Sequence, residues 1–144
     1  MNLKKVERNN NRGFTLIELL VVLSIIGLLA GLVGPQVMKH LGGSKTKAAK
    51  VQIQDLAAAL DMYKLDVGTY PSTSEGLAAL VENPGQVKGW NGPYLRKNII
   101  PKDPWNREYV YRFPGEHGDF DIYSLGADGT EGGEGENEDQ GSWQ

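Results

Sequence analysis

Residues 12–35 read RGFTLIELLVVLSIIGLLAGLVGP, and from Phe14 to Gly34 the only charged side chain is Glu18. A helix of that length crosses the ~30 Å hydrocarbon core of a bilayer. It lacks the polar face that a helix on a soluble domain presents to water. The stretch is therefore read as a transmembrane helix over 14–34. Lys4, Lys5, Arg8 and Arg12 precede it, so the N-terminus stays in the cytoplasm and everything after the span is exported. A carboxylate at that depth is costly and needs a partner. Once the basic leader is set aside, no basic residue lies near Glu18 in sequence.

Pro35 then removes a helix donor, yet the helical pattern resumes at once with QVMKHL. Ala49, Ile53, Leu56, Leu60 and Tyr63 recur at steps of four and three, which marks an amphipathic continuation over 35–66. Gly27, Gly31, Gly34, Pro35, Gly42 and Gly43 are places where the helix bends or packs closely. DVGTYP ends it near Asp66 to Gly68. PSTSEGLAALVENP, residues 71–84, reads as a second short helix, because Ser72 and Glu75 have capping-box spacing and Pro84 closes it. Residues 85–108 are rich in Gly, Pro and Asn and read as loop, with Trp90, Tyr94 and Trp105 as its anchors on the core. EYVYRF and DFDIYSL alternate around the turn PGEHG, which predicts a hairpin with Tyr109, Tyr111 and Phe113 on one face and Phe120 and Ile122 on the other strand's matching face. The expected architecture is α+β: a long N-terminal helix packed on a small region, 67–144, with a short helix, a long loop and an antiparallel sheet.

The 144 residues allow one modest domain plus an appendage. A net charge of -3 does not suggest a nucleic-acid partner, and zero cysteines exclude disulfides and thiolate metal sites. No phosphate-cradling glycine loop, nucleophile–base motif or basic–aromatic platform is present, so no catalytic residue is assigned and the chain is not read as an enzyme. His40 and His117 are too far apart in sequence for a local metal motif and read as a stalk-surface residue and a turn residue. SLGADGTEGGEGENEDQGSW, residues 124–143, crowds carboxylates into a glycine-rich run. Two readings stand for it: a solvated acidic tail, or a hard-oxygen cation loop of the irregular kind that suits calcium. The spacing is not that of an EF-hand.

RGFTLIELL resembles the class III signal of type IV pilins and pseudopilins. The resemblance implies that a prepilin peptidase cuts between Gly13 and Phe14 and N-methylates Phe14, so that residues 1–13 are a cleaved leader. It also implies that Glu18, the fifth residue after the cut, serves assembly by pairing with the new amine of Phe14 on a neighbouring subunit. GTYPSTSEGLAAL, GPYLRK, DPWNREYVYRFPGEHGDFDIYSLGADG and the late GSW resemble the major (core) pseudopilins of type II secretion systems, over nearly the whole chain after Gly13. That resemblance implies a pilin-like fold and a subunit of the inner membrane that polymerises with itself into a periplasmic pseudopilus. Minor pseudopilins and an inner-membrane assembly platform are its implied partners, and the filament helps drive folded exoproteins through an outer-membrane secretin. It further implies calcium as cofactor in the loop at 125–139. Leu125 and Thr130 would give carbonyl oxygens and Asp128 a carboxylate; Glu134, Glu136 and Asp139 are candidates for the later carboxylate, with Glu136 the preferred one. A type IV pilus pilin or a DNA-uptake pseudopilin is the alternative within the same superfamily. A membrane-anchored calcium-binding or enzymatic domain that never polymerises is the alternative outside it.

Overall fold

A computed structural model describes residues 13–144, apart from the side chains of residues 39–41. The leader positions Lys4, Lys5, Arg8 and Arg12 and the His40 side chain lie outside the described residues. Helix α1 runs over Leu16–Val67. A 3-10 helix follows at Gly76–Leu80, then strands β1 at Val110–Arg112, β2 at Asp121–Ser124 and β3 at Gln140–Gly141. The chain divides into two compact units, 1–38 and 39–144.

In the first unit the apolar side chains have no protein to cover them: Leu16, Leu28 and Leu32 are 82%, 74% and 73% exposed. This part of α1 is long and apolar enough to cross a membrane. Pro35 sits inside the helix, where its ring nitrogen leaves the Gly31 carbonyl without the usual i→i−4 donor.

In the second unit the sequence periodicity becomes a core. Ala49, Ile53, Leu56, Leu60 and Tyr63 are all buried on α1, as spacing on one helical face requires. All but Ala49 join one core cluster with Tyr70, Leu77, Leu80, Tyr109, Tyr111 and Ile122. Each fully buried Leu or Ile contributes about 1.5–3 kcal/mol. The sheet order is β1-β2-β3, with antiparallel pairing throughout. Tyr111 sits opposite Ile122, so both face α1, and the Tyr111 hydroxyl donates to the Pro71 carbonyl at 2.8 Å. Tyr70 meets Phe120 edge-on, with ring centroids 4.8 Å apart.

The structure departs from the sequence expectation at four places. The segment 71–84 is a capped turn followed by a 3-10 helix instead of one α-helix. The capping box forms as expected, with the Ser72 amide donating to Glu75 Oε2 at 2.7 Å and the Glu75 amide to Ser72 Oγ at 3.3 Å. Gly76, however, has φ +61°, a left-handed conformation that no right-handed helix passes through. Both predicted hairpin strands are shorter than their alternating runs. β3 was not expected; it leaves β2 buried on both faces, with Trp143 meeting Tyr123 edge-on at 5.8 Å and stacking on His117 at 4.0 Å. Finally, Trp90 and Tyr94 do anchor the long loop, through the Trp90 indole N–H to Ala79 O at 2.8 Å and the Tyr94 hydroxyl to Asp66 at 2.9 Å. Trp105 does not join that core cluster; its main-chain amide donates to Asp103 Oδ1 at 3.0 Å.

Candidate functional site

Two regions carry candidate residues, one in each unit. In the first, Gly13, Phe14 and Thr15 precede α1 and are not helical, and Phe14 is 84% exposed. The Gly13–Phe14 bond thus lies on accessible, non-helical chain. Glu18 has partners that its sequence neighbours did not suggest. The Thr15 amide and hydroxyl donate to Glu18 Oε2 at 2.8 and 2.9 Å, and the Glu18 amide donates back to Thr15 Oγ1 at 3.3 Å. This is a capping box on the first turn, and Glu18 also sits at the helix end where a negative charge is favoured. The T-x-x-E spacing was legible at residues 15–18. Among the described residues the bonds to the Glu18 side chain fall on Oε2 and none falls on Oε1.

In the second unit, residues 125–139 form a loop whose ends are paired across the sheet, Ser124 with Gln140. Its first turn is tight. The Gly129 amide donates to the Leu125 carbonyl at 3.2 Å, and the Thr130 amide donates to Asp128 Oδ1 at 3.0 Å. Gly126 and Gly129 have φ of +65° and +71°, which L side chains rarely adopt. The later half folds back on the first, with the Ala127 amide donating to Glu136 O at 2.8 Å. The Gly132 amide donates to Asp139 Oδ2 at 2.9 Å.

The predicted carboxylates are not all brought together. Among the described residues, no group of three or more Asp, Glu or His side chains is placed to hold a metal. Glu136, the preferred later carboxylate, puts its side chain against α1, in the space a Cβ at Gly42 would fill. Glu134 is exposed. Asp139 differs from both: its Oδ1 is buried without a hydrogen-bond partner. A buried carboxylate oxygen with no donor is costly, and a cation is one way to satisfy it. The donor chemistry, hard oxygens from carboxylates and main-chain carbonyls, fits calcium.

Beside the loop, two side chains that sequence reasoning passed over, Asp103 and Arg107, hold it in place. Asp103, 3% exposed, accepts the Trp105 and Arg107 amides on Oδ1 and, at 2.6 Å, the Ser124 hydroxyl on Oδ2. Arg107 donates to the Gly126 and Ala127 carbonyls at 2.6 and 2.9 Å. His117, read as a turn residue, does sit in the hairpin turn, with Nδ1 3.1 Å from Asp121 Oδ2. Burial pushes the Asp121 carboxyl up, but hydrogen bonds from the Glu116 amide and from the His117 ring and amide outweigh it and leave its pKa below the ordinary value. DPWN was a visible turn signal. The reach of Arg107 across to residues 126–127 had no signal in sequence.

Comparison with known proteins adds the family context. Residues 36–143 match the family described as type II secretion system, protein G. Residues 8–34 match the prokaryotic N-terminal methylation motif. The type II secretion system core protein G of Pseudomonas aeruginosa is 52% identical over 142 residues, covering 96% of this chain and 99% of that protein. The core protein G of Vibrio cholerae is 43% identical over 144 residues, covering 98% and 96%. The crystal structure of the major pseudopilin from the type 2 secretion system of enterohaemorrhagic Escherichia coli aligns with a TM-score of 0.62 at 35% identity, covering 76% of this chain and 95% of that one.

Proposed function

The chain belongs to the type II secretion system protein G family and is a major pseudopilin, a structural subunit and not an enzyme; from that premise we propose how its two candidate regions serve the assembly. The observation that carries the reading is the joining, in one chain, of an N-terminal methylation motif over 8–34 to a protein G match over 36–143. With its single apolar N-terminal helix, the chain is consistent with a single-pass inner-membrane pseudopilin.

The N-terminus lies in the cytoplasm and residues 39–144 lie in the periplasm. A prepilin peptidase cuts the exposed Gly13–Phe14 bond and methylates the amine of Phe14. Cleavage creates a cation where the precursor has a neutral amide. Glu18 keeps its Thr15 bonds on Oε2 and offers Oε1 to the Phe14 amine of the next subunit, so the charge gains its counter-ion only between processed copies. Identical subunits stack into the periplasmic pseudopilus on an inner-membrane platform, with minor pseudopilins as further partners, and the filament helps move folded exoproteins through the secretin.

The acidic loop is a calcium site. Leu125 and Thr130 supply carbonyl oxygens, and Asp128 and Asp139 supply carboxylates; Asp139 replaces Glu136 because its buried Oδ1 has no hydrogen-bond partner among the described residues, while the exposed Glu136 side chain lies over Gly42. A bound calcium supplies positive charge that offsets the crowded carboxylates and ties the two halves of the loop together.

The test is genetic and direct. Deleting the gene abolishes exoprotein release and leaves twitching and transformation intact. Returning Glu18→Ala yields a cleaved, membrane-resident subunit that forms no filaments. Normal filaments and release from Glu18→Ala would overturn the assembly role, and loss of twitching or transformation would move the chain to the pilus reading.

A further inference from the structure

Arg107 is planted on a closed loop. Its amide donates to Asp103 Oδ1 at 2.8 Å, and its carbonyl accepts from the Asp103 amide at 2.8 Å. From there its guanidinium reaches the acidic loop, where Nη1 donates to Gly126 O at 2.6 Å and Nη2 to Ala127 O at 2.9 Å. The fork geometry suits two neighbouring carbonyls, which a lysine ammonium cannot span in the same way. The loop also packs directly on the group: a Cβ at Gly129 would lie 2.8 Å from the guanidinium carbon. Among the described residues no carboxylate forms an ion pair with Arg107. Its charge is therefore met by main-chain dipoles of a segment otherwise full of acids.

We propose that Arg107 is a positioning residue for the calcium loop: it holds the Leu125–Gly129 turn in its folded shape without metal, and leaves closure of residues 130–139 to the cation. The inference rests on the calcium reading for its binding consequence and stands apart from it for its structural one. By bonding the Gly126 and Ala127 carbonyls, Arg107 fixes the backbone between Leu125 and Asp128, the two residues whose carbonyl and carboxylate would face the ion. A turn already formed need not be ordered when calcium binds, and groups that orient metal ligands in this way are commonly worth about tenfold or more in affinity.

Two effects of Arg107 oppose each other, and that makes the proposal testable. As a bare positive charge near the site it repels calcium, so its removal would tighten binding. As a positioning group it lowers the ordering cost, so its removal weakens binding. The experiment uses the full-length protein in detergent micelles, wild type against Arg107→Met and Arg107→Lys, with two readouts. Residue-resolved amide exchange is measured in chelator, and calcium affinity by titration calorimetry. In chelator, wild type protects the Gly129 amide, bonded to Leu125 O, and both variants lose about tenfold of that protection while the Tyr94 amide, bonded to Leu80 O, is unchanged. Calcium Kd rises about tenfold in both variants, because Lys restores charge and not the fork. Unchanged protection at Gly129, an equal loss at Tyr94, tighter calcium binding in Arg107→Met, or full rescue by Arg107→Lys would each overturn the proposal. Absence of a calcium isotherm in wild type refutes the calcium reading alone, and the exchange data then decide the role of Arg107.

Discussion

Replacing Asp103 with alanine should unfold the second unit more readily than any other single polar change beside the loop. Asp103 is 3% exposed and accepts three hydrogen bonds, from the Trp105 amide at 3.0 Å, the Arg107 amide at 2.8 Å and the Ser124 hydroxyl at 2.6 Å. Ser124 is itself 0% exposed, so its hydroxyl has no access to water when the carboxylate goes. Hydrogen bonds to a charged group contribute about 1.5–3 kcal/mol each, and the three share one acceptor group, so their losses do not simply add. We expect Asp103→Ala to cost about 3–5 kcal/mol out of a total near 5–15 kcal/mol. Asp103→Asn keeps an acceptor for both amides and turns an amide donor toward Ser124 Oγ, which can accept; its cost is about 1 kcal/mol. For a unit of this size the alanine change lowers Tm by roughly 15 °C. Trp90, Trp105 and Trp143 all lie in the second unit, so intrinsic fluorescence of the full chain in micelles reports its unfolding in urea or heat, with chelator present to remove any metal contribution. A loss below about 1 kcal/mol for Asp103→Ala, or an asparagine variant as damaged as the alanine one, would refute the network as the reason for this burial.

Two further outcomes follow from the same region. Calcium should raise the Tm of the wild-type chain; Asp128→Ala and Asp139→Ala should abolish the rise while Glu136→Ala keeps it, and a reversed pattern for Asp139 and Glu136 would return the later ligand to Glu136. Asp121 has a folded pKa below its ordinary value, so its contribution is present at neutral pH and is lost as pH falls below about 4 toward the folded value. The stability gap between wild type and Asp121→Asn should therefore shrink through that acid range, and a gap that stays constant from pH 7 to pH 3 would show that the charge of Asp121 is immaterial.

What could be read in advance followed the strength of the local pattern. The buried face of α1 was plain because five residues at helical spacing can only face one way, and the hairpin was plain because tyrosines alternate at 109 and 111. The capping box at Ser72 was equally visible, but the helix it seemed to start is cut short by the left-handed backbone at Gly76, which composition alone does not reveal. β3 is two residues, Gln140 and Gly141, neither of which favours strands; pairing with β2 makes it a strand, and that is a tertiary event. The loop was recognised as acidic and glycine-rich, but choosing among Glu134, Glu136 and Asp139 required knowing which oxygen is buried. Arg107 read as one more polar residue in a loop because its carbonyl partners lie at positions 126 and 127.

The pairing of Ser124 with Gln140 has a consequence for how the unit can be made. Many exported domains of this size fasten such a loop with a covalent sulfur bridge, which forms only where an oxidant is supplied. Here main-chain hydrogen bonds pin both ends, and the closure entropy of a loop this short rises only slowly with its length. The sequence has no cysteine to oxidise or to mispair. The ends of the loop are fastened as soon as β3 finds β2, this pairing can open and reclose without chemistry, and thiol reagents should have no effect on it.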